Sequence, residues 1–179
     1  AGKGFDDKSC AACAVCAIAE TPHEELAADV YLLLSSFEET SRQGGVSTAV
    51  YGIDPDYAIS ADVNLGATPD TKPRETVKTN GGASITLSAV TDRRLTEMTI
   101  ALASENNINY QPCVSATSTG TNSGSINLVK NGVPVVDVGL PLKNMHTCNE
   151  VIGLRDAEAL RDLIKAFITS KKIAEVFKR

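Results

Sequence analysis

The 179-residue chain predicts an α/β fold, a three-layer α/β/α sandwich on a mixed, mostly parallel sheet. Three observations predict it. Helix-like and strand-like stretches alternate along the chain with short connections between them. VPVVDVGLPL (133–142) is a continuous apolar run, the pattern of a strand in a sheet covered on both faces. Arg155 to Ser170 repeats Leu160, Leu163, Ile164 and Phe167 at helical spacing, as an outer-layer helix does.

The elements follow in order. Asp6 and Asp7 open a helix running to about Glu20, where their charge suits its N-terminus. It contains Cys10, Cys13 and Cys16 in a CxxCxxC pattern, which on its face suggests an iron–sulfur cluster. The small residues around the thiols, SCAACAVCAIAE, instead suggest a helix packed closely against a sheet. ADVYLLLSSF (28–37) predicts a buried strand ending at Glu38, and STAVYGI a short helix. DPDYAISADVNL predicts a second strand with Asp62 at its far end, after a turn at Asp54-Pro55-Asp56. Gly66 to Gly82 is a polar loop long enough to be functional or mobile. ASITLSAV predicts a strand, TDRRLTEMTIALASENN a helix with Leu95, Met98, Thr99 and Leu102 on one face, and YQPCVSA another strand. TSTGTNSGS is a loop of small residues that lets backbone approach a ligand, and SINLVKNG is a short helix closed by Gly132. KKIAEVFKR extends the terminal helix as a basic tail.

Bulk properties narrow the function. The length is that of one domain, and 42% hydrophobic with 22% charged residues describes an ordinary globular chain. A formal net charge of -5 supplies no basic stripe for phosphates, which argues against a nucleic-acid partner. No apolar run approaches the ~20 residues of a membrane span, so no membrane partner is expected. AGKGFDDKSC lacks the zones of a secretion signal, and the five cysteines suit a reducing compartment; a cytoplasmic location is the expectation.

Asp6, Glu38, Glu39, Asp62 and His146 each fall where a predicted strand meets a loop, the edge at which open α/β sheets collect ligands. Hard oxygens with one imidazole make a plausible shell for divalent metals that activate a water. Taken singly, each residue has an ordinary reading as well. Asp6 caps a helix, the Glu38-Glu39 pair is a solvated loop edge, Asp62 is an Asx turn and His146 is a loop histidine. His23, in ETPHEEL, is expected at the surface on the opposite edge.

The stretches GKGFDDKSC, VYLLLSSFEETSRQGG, PDYAISADVNLGATPD, ENNINYQ, GTNSGSINLVKNGVPVVDVGLP and MHTCNEVIGLRD together resemble the glutamyl and deblocking aminopeptidases. These are co-catalytic metallopeptidases of zinc-exopeptidase fold whose best-known members form tetrahedral particles. The resemblance implies two divalent ions, zinc or cobalt foremost with manganese also reasonable, and a peptide substrate. Asp6 would bridge the ions, Glu39 and His146 would complete one site, and Asp62 would serve the other. Glu38 would be the general base toward a metal-bridged water, and Gly120, Thr121 and Asn122 would line the substrate pocket. A homo-oligomer fits the same resemblance, its order left open.

The chain departs from the family pattern in several places. An upstream His-x-Asp element, whose histidine shares the metal held by Asp62, is absent, as is an inserted dimerisation domain. Residues 1–179 are therefore expected to form a single catalytic-domain portion, weakly active or inactive alone. Asn122 replaces the usual aspartate, Lys8 the usual arginine, and Thr40-Ser41 the usual Val-Gly. Two rival readings stand beside the aminopeptidase: a non-catalytic binding or assembly module of the same fold, and an endoglucanase-type glycoside hydrolase using two carboxylates. An aromatic content of 4% with no Trp weighs against a sugar-stacking cleft.

Overall fold

A computed structural model of the chain describes residues 1–40, 44–73 and 76–179. Its sheet is mixed and has helices on both faces. The order is β1 (Ala58–Leu65), β4 (Val135–Lys143), β2 (Ala83–Ser88), β3 (Tyr110–Ser115), with the short β5 (Val151–Ile152) on the far end of β4. β1 runs parallel to β4 over eight positions and β2 parallel to β3 over six. β2 meets β4 antiparallel over three, and β5 meets it antiparallel over two.

Side chains alternate across each strand, so the two faces of the sheet carry different chemistry. Val136, Val138, Leu140 and Leu142 of β4, with Val63 of β1 and Ala83 and Ile85 of β2, face the larger core. That core is closed by α1 (Phe5–Ala19), α3 (Arg93–Glu105) and α5 (Leu154–Ile168), through residues such as Cys10, Leu95, Leu160, Leu163 and Phe167. Val135, on the other face, joins a smaller core with α2 (Gly45–Ile53) and α4 (Ser123–Asn127). The intervening positions on that second face are polar: Ser60, Asp62 and Asn64 on β1, Ser84 and Thr86 on β2, Asp137 on β4. The run 133–142 is thus apolar on one face only, with Asp137 and Gly139 interrupting the other.

Three further expectations are corrected. The segment 28–37 forms no strand. It is extended, leaves Tyr31, Leu34 and Phe37 mostly exposed, and has no ladder partner among the described residues. Val30 packs on the larger core and Leu33 on the smaller, so the segment carries the chain from one helical layer to the other. Its apolar residues serve two cores rather than one ladder. Asp62 lies within β1 rather than at its end, because Val63 continues the buried face. The basic tail is a separate helix, α6 (Lys171–Phe177), started by the Ser170 side chain accepting the Ile173 N–H. Ile173 is buried in the larger core, and Phe177 lies against Tyr57.

Of the CxxCxxC thiols, Cys10 and Cys13 pack against the sheet and α5 while Cys16 is exposed, so the three share no ligand face. The long polar loop is stapled: buried Asp156 accepts the Asn80 and Gly82 N–H groups at 2.8 Å each, and Gln111 bonds both backbone groups of Lys78. His23 is exposed in a single 3₁₀ turn. No helix among the described residues is long and apolar enough to cross a membrane.

Candidate metal centre

Gly4, at a left-handed φ of 69°, turns the chain into α1, and the next three residues set the site. Asp6 and Asp7 have non-helical backbone angles and a cis peptide bond between them. The capping role expected of Asp6 falls to Asp7, whose Oδ1 accepts the Cys10 N–H at 3.3 Å. Asp6 is thereby freed to face a cleft.

That cleft has a volume of about 360 Å³ and gathers residues from distant parts of the chain. Asp6 enters from the start of α1, and Glu38 and Glu39 from a turn after Phe37, itself left-handed at φ 66°. Asp62 rises from the polar face of β1, with Thr86 on β2, Cys113 within β3, Gly120 and Thr121 before α4, and His146 beyond β4. Glu38 and Glu39 follow a turn rather than a strand, and both reach the cleft.

Among the described residues, one trio of ligating side chains converges: Asp6, Glu39 and His146, with one donor atom each inside a 4.8 Å sphere of mutual distance. His146 Nε2 lies 3.1 Å from Asp6 Oδ2 and 3.3 Å from Glu39 Oε2. Donors around a tetrahedral ion at ~2.0–2.2 Å stand roughly 3.4 Å apart, so these separations suit a cation between them. The Asp6 side chain is 7% exposed while His146 is 66% exposed, which gives the trio a buried base and an open mouth.

The electrostatics of the cleft favour a cation. Asp6 is pushed up to about 6, first by burial and then by the Glu39 carboxylate, with His146 pulling it down. Asp7 is pushed up to about 7, chiefly by burial, and Asp62 up to about 9 by burial and then by the charge of Asp7. Asp62 Oδ1 accepts the N–H of Val63 at 2.8 Å. Three buried carboxyls this close resist ionising together unless positive charge is supplied. Asp62 stands outside the converging trio but lines the same cleft as Asp6.

The residues expected to line a substrate pocket divide. Gly120 and Thr121 line the cleft. Asn122 turns its amide to Ser35 Oγ at 3.0 Å, bracing the segment that leads to Glu38. Lys8 is exposed on α1, and Ser41 lies outside the described residues.

Two carboxylates escaped the sequence reading. Asp137 is buried beneath the loop and accepts the Thr121 hydroxyl; burial raises its pKa while the hydroxyls of Thr121, Thr86 and Ser123 lower it. Its signal was an acid inside an apolar run. Glu150 is buried behind the trio, and its only trace in the sequence is an acid four residues after His146.

Comparison with known proteins identifies the fold and the family. An aminopeptidase structure from the archaeon Desulfurococcus kamchatkensis superposes with a TM-score of 0.89 at 27% identity, over 99% of this chain and 51% of that one. A TET aminopeptidase from a marine sediment archaeon of the Thaumarchaeota gives 0.89 at 26%, over 99% and 51%. The lysyl aminopeptidase of Pyrococcus furiosus is 25% identical over 168 residues, 94% of this chain and 48% of that protein. The chain thus spans about half the length of these relatives. The family model for M42 glutamyl aminopeptidase matches residues 1–163, a stretch that includes every residue of the cleft and runs through most of α5. A match over that much of the chain, on a fold shared with aminopeptidase structures, makes this chain a member of the M42 glutamyl aminopeptidase family.

Proposed function

We propose that the chain carries the catalytic face of a metal-dependent aminopeptidase that removes N-terminal residues from peptides. The observation that carries the reading is the convergence of Asp6, Glu39 and His146 in a cleft that Glu38 also lines. Asp6, Glu39 and His146 would hold one divalent ion, zinc or cobalt, and Asp6 with Asp62 would offer two oxygens to a second. When bound, such ions supply an electrophile for the scissile carbonyl and lower the pKa of a water. Glu38, which lines the cleft, would be the general base that accepts a proton from the attacking water and passes it to the leaving amine. Thr121 and Gly120 bound the side of the cleft where the N-terminal residue sits. Family membership and the aminopeptidase relatives support the reaction class.

A non-catalytic module of the same fold is the second reading. It is favoured by the second ion position, which among the described residues has only Asp6 and Asp62. Zinc titration of the 179-residue chain separates the two: one tight site fits the peptidase, and no binding fits the module. Hydrolysis of aminoacyl-nitroanilides with added zinc or cobalt then tests the chemistry. Weak turnover that disappears in Glu38→Gln is the expected result, and turnover unchanged by that substitution removes Glu38 from its role. Sedimentation of the same chain tests the homo-oligomer implied by the family resemblance.

A further inference from the structure

We infer that Glu150 is the positioning residue of the metal centre, holding Asp6 and His146 in one geometry through their backbones. The inference rests on the metal-binding reading of the cleft. Glu150 is 2% exposed, yet among the described residues no cationic side chain accompanies its carboxylate in the hydrogen-bond network. One oxygen, Oε2, accepts the Phe5 N–H at 2.7 Å and the Asp6 N–H at 3.3 Å. The other, Oε1, accepts the His146 N–H at 3.1 Å. The backbone of Glu150 adds a two-way bridge to Gly2, at 2.9 and 2.8 Å, which ties the chain's first residues to the same point.

Phe5 and Asp6 are about 140 positions from His146 in sequence, and one carboxylate grips both segments. Each segment has reason to need it. Asp6 sits in non-helical backbone before α1 becomes regular, and His146 is left-handed at φ 62° in the loop between β4 and β5. Charge-assisted bonds to backbone N–H groups are short and directional, and a single anion accepting from both sides fixes the distance between them. Glu150 also adds negative charge behind Asp6, which favours a cation in front of it. Residues that orient metal ligands in this way typically change metal affinity when altered.

A purely structural buried carboxylate is available for comparison in the same chain. Asp156 is fully buried and accepts two backbone N–H groups, from Asn80 and Gly82, on a loop that does not line the cleft. The test is zinc titration by calorimetry of the 179-residue chain, alongside Glu150→Gln, Glu150→Asp and Asp156→Asn, with urea midpoints for each. A glutamine presents one acceptor oxygen and an NH₂ group that cannot accept, so one of the two segments loses its partner.

Glu150→Gln should weaken zinc binding by roughly 10–100-fold. Asp156→Asn should lower the urea midpoint and leave zinc affinity at the wild-type value. Glu150→Asp keeps the charge on a shorter arm and should fall between wild type and Glu150→Gln; it is read in place of Glu150→Gln where that variant does not fold. Zinc affinity unchanged in the Glu150 variants, or lost equally in Asp156→Asn, would overturn the positioning role while leaving the metal reading intact. Wild-type protein that binds no zinc overturns both.

Discussion

Gly139 lies directly opposite Asp62 in the parallel register of β1 and β4, and the absence of its side chain lets Ser84 on β2 bond Asn64 on β1 across the intervening strand. A Cβ at 139 would overlap the Asp62 carbonyl oxygen and crowd Asn64 Oδ1. Gly139→Ala should therefore push β1 away from β4, carrying Asp62 with it. A loss of roughly 1–3 kcal/mol is expected from such overpacking, read from urea unfolding. Wild-type stability in Gly139→Ala would show that the strands have slack at this point.

Asp137 gives a pH dependence of predictable sign. Burial raises its folded pKa above the ordinary aspartate value of about 4, so folding favours the protonated form. The stability this contributes is complete below the unfolded pKa and is lost as pH rises through the folded value. Asp137→Asn cannot ionise and keeps an oxygen to accept the Thr121 hydroxyl. Its stability relative to wild type should rise from acid toward neutral pH, followed as urea midpoints between pH 4 and 8. A difference that stays flat across the range would mean that Asp137 folds at no electrostatic cost.

The last helix is predicted to be part of the core. Ile173 is 1% exposed within the larger hydrophobic cluster. Ile173→Ala should cost roughly 2–5 kcal/mol by thermal or urea unfolding, as buried truncations do. A change within ~0.5 kcal/mol would return α6 to the status of a surface tail.

Metal should stabilise the fold, because bound cations relieve the repulsion among Asp6, Asp7 and Asp62. At a free concentration about 100 times the dissociation constant the gain is roughly 2.7 kcal/mol, or about 5–10 °C in Tm for a chain of this size. Scanning calorimetry with zinc and then with excess chelator reads the gain and its reversal. His146→Ala should lose most of it.

The layered fold was legible because its signals are local. The period of Leu160, Leu163, Ile164 and Phe167 and the apolar run of β4 each lie within a single element. The segment 28–37 was misread because its apolar run imitates a buried strand, whereas only Val30 and Leu33 pack, each on a different core, and Tyr31, Leu34 and Phe37 stay mostly exposed. Ser170, a good N-cap between two amphipathic stretches, was the overlooked signal for α6. The cleft residues were legible through family resemblance and carboxylate spacing. Glu150 and Asp137 were not, since their roles lie in backbone N–H groups and hydroxyls brought to them only by the folded chain.

Asp6, Glu39 and His146 are expected to hold a divalent cation together. Diffraction from crystals soaked in zinc, measured on both sides of the zinc absorption edge, tests it most directly. An anomalous peak at about 2.0–2.2 Å from Asp6 Oδ2, Glu39 Oε2 and His146 Nε2 is predicted. Zinc found elsewhere on the molecule, with these three side chains free of it, would contradict the account.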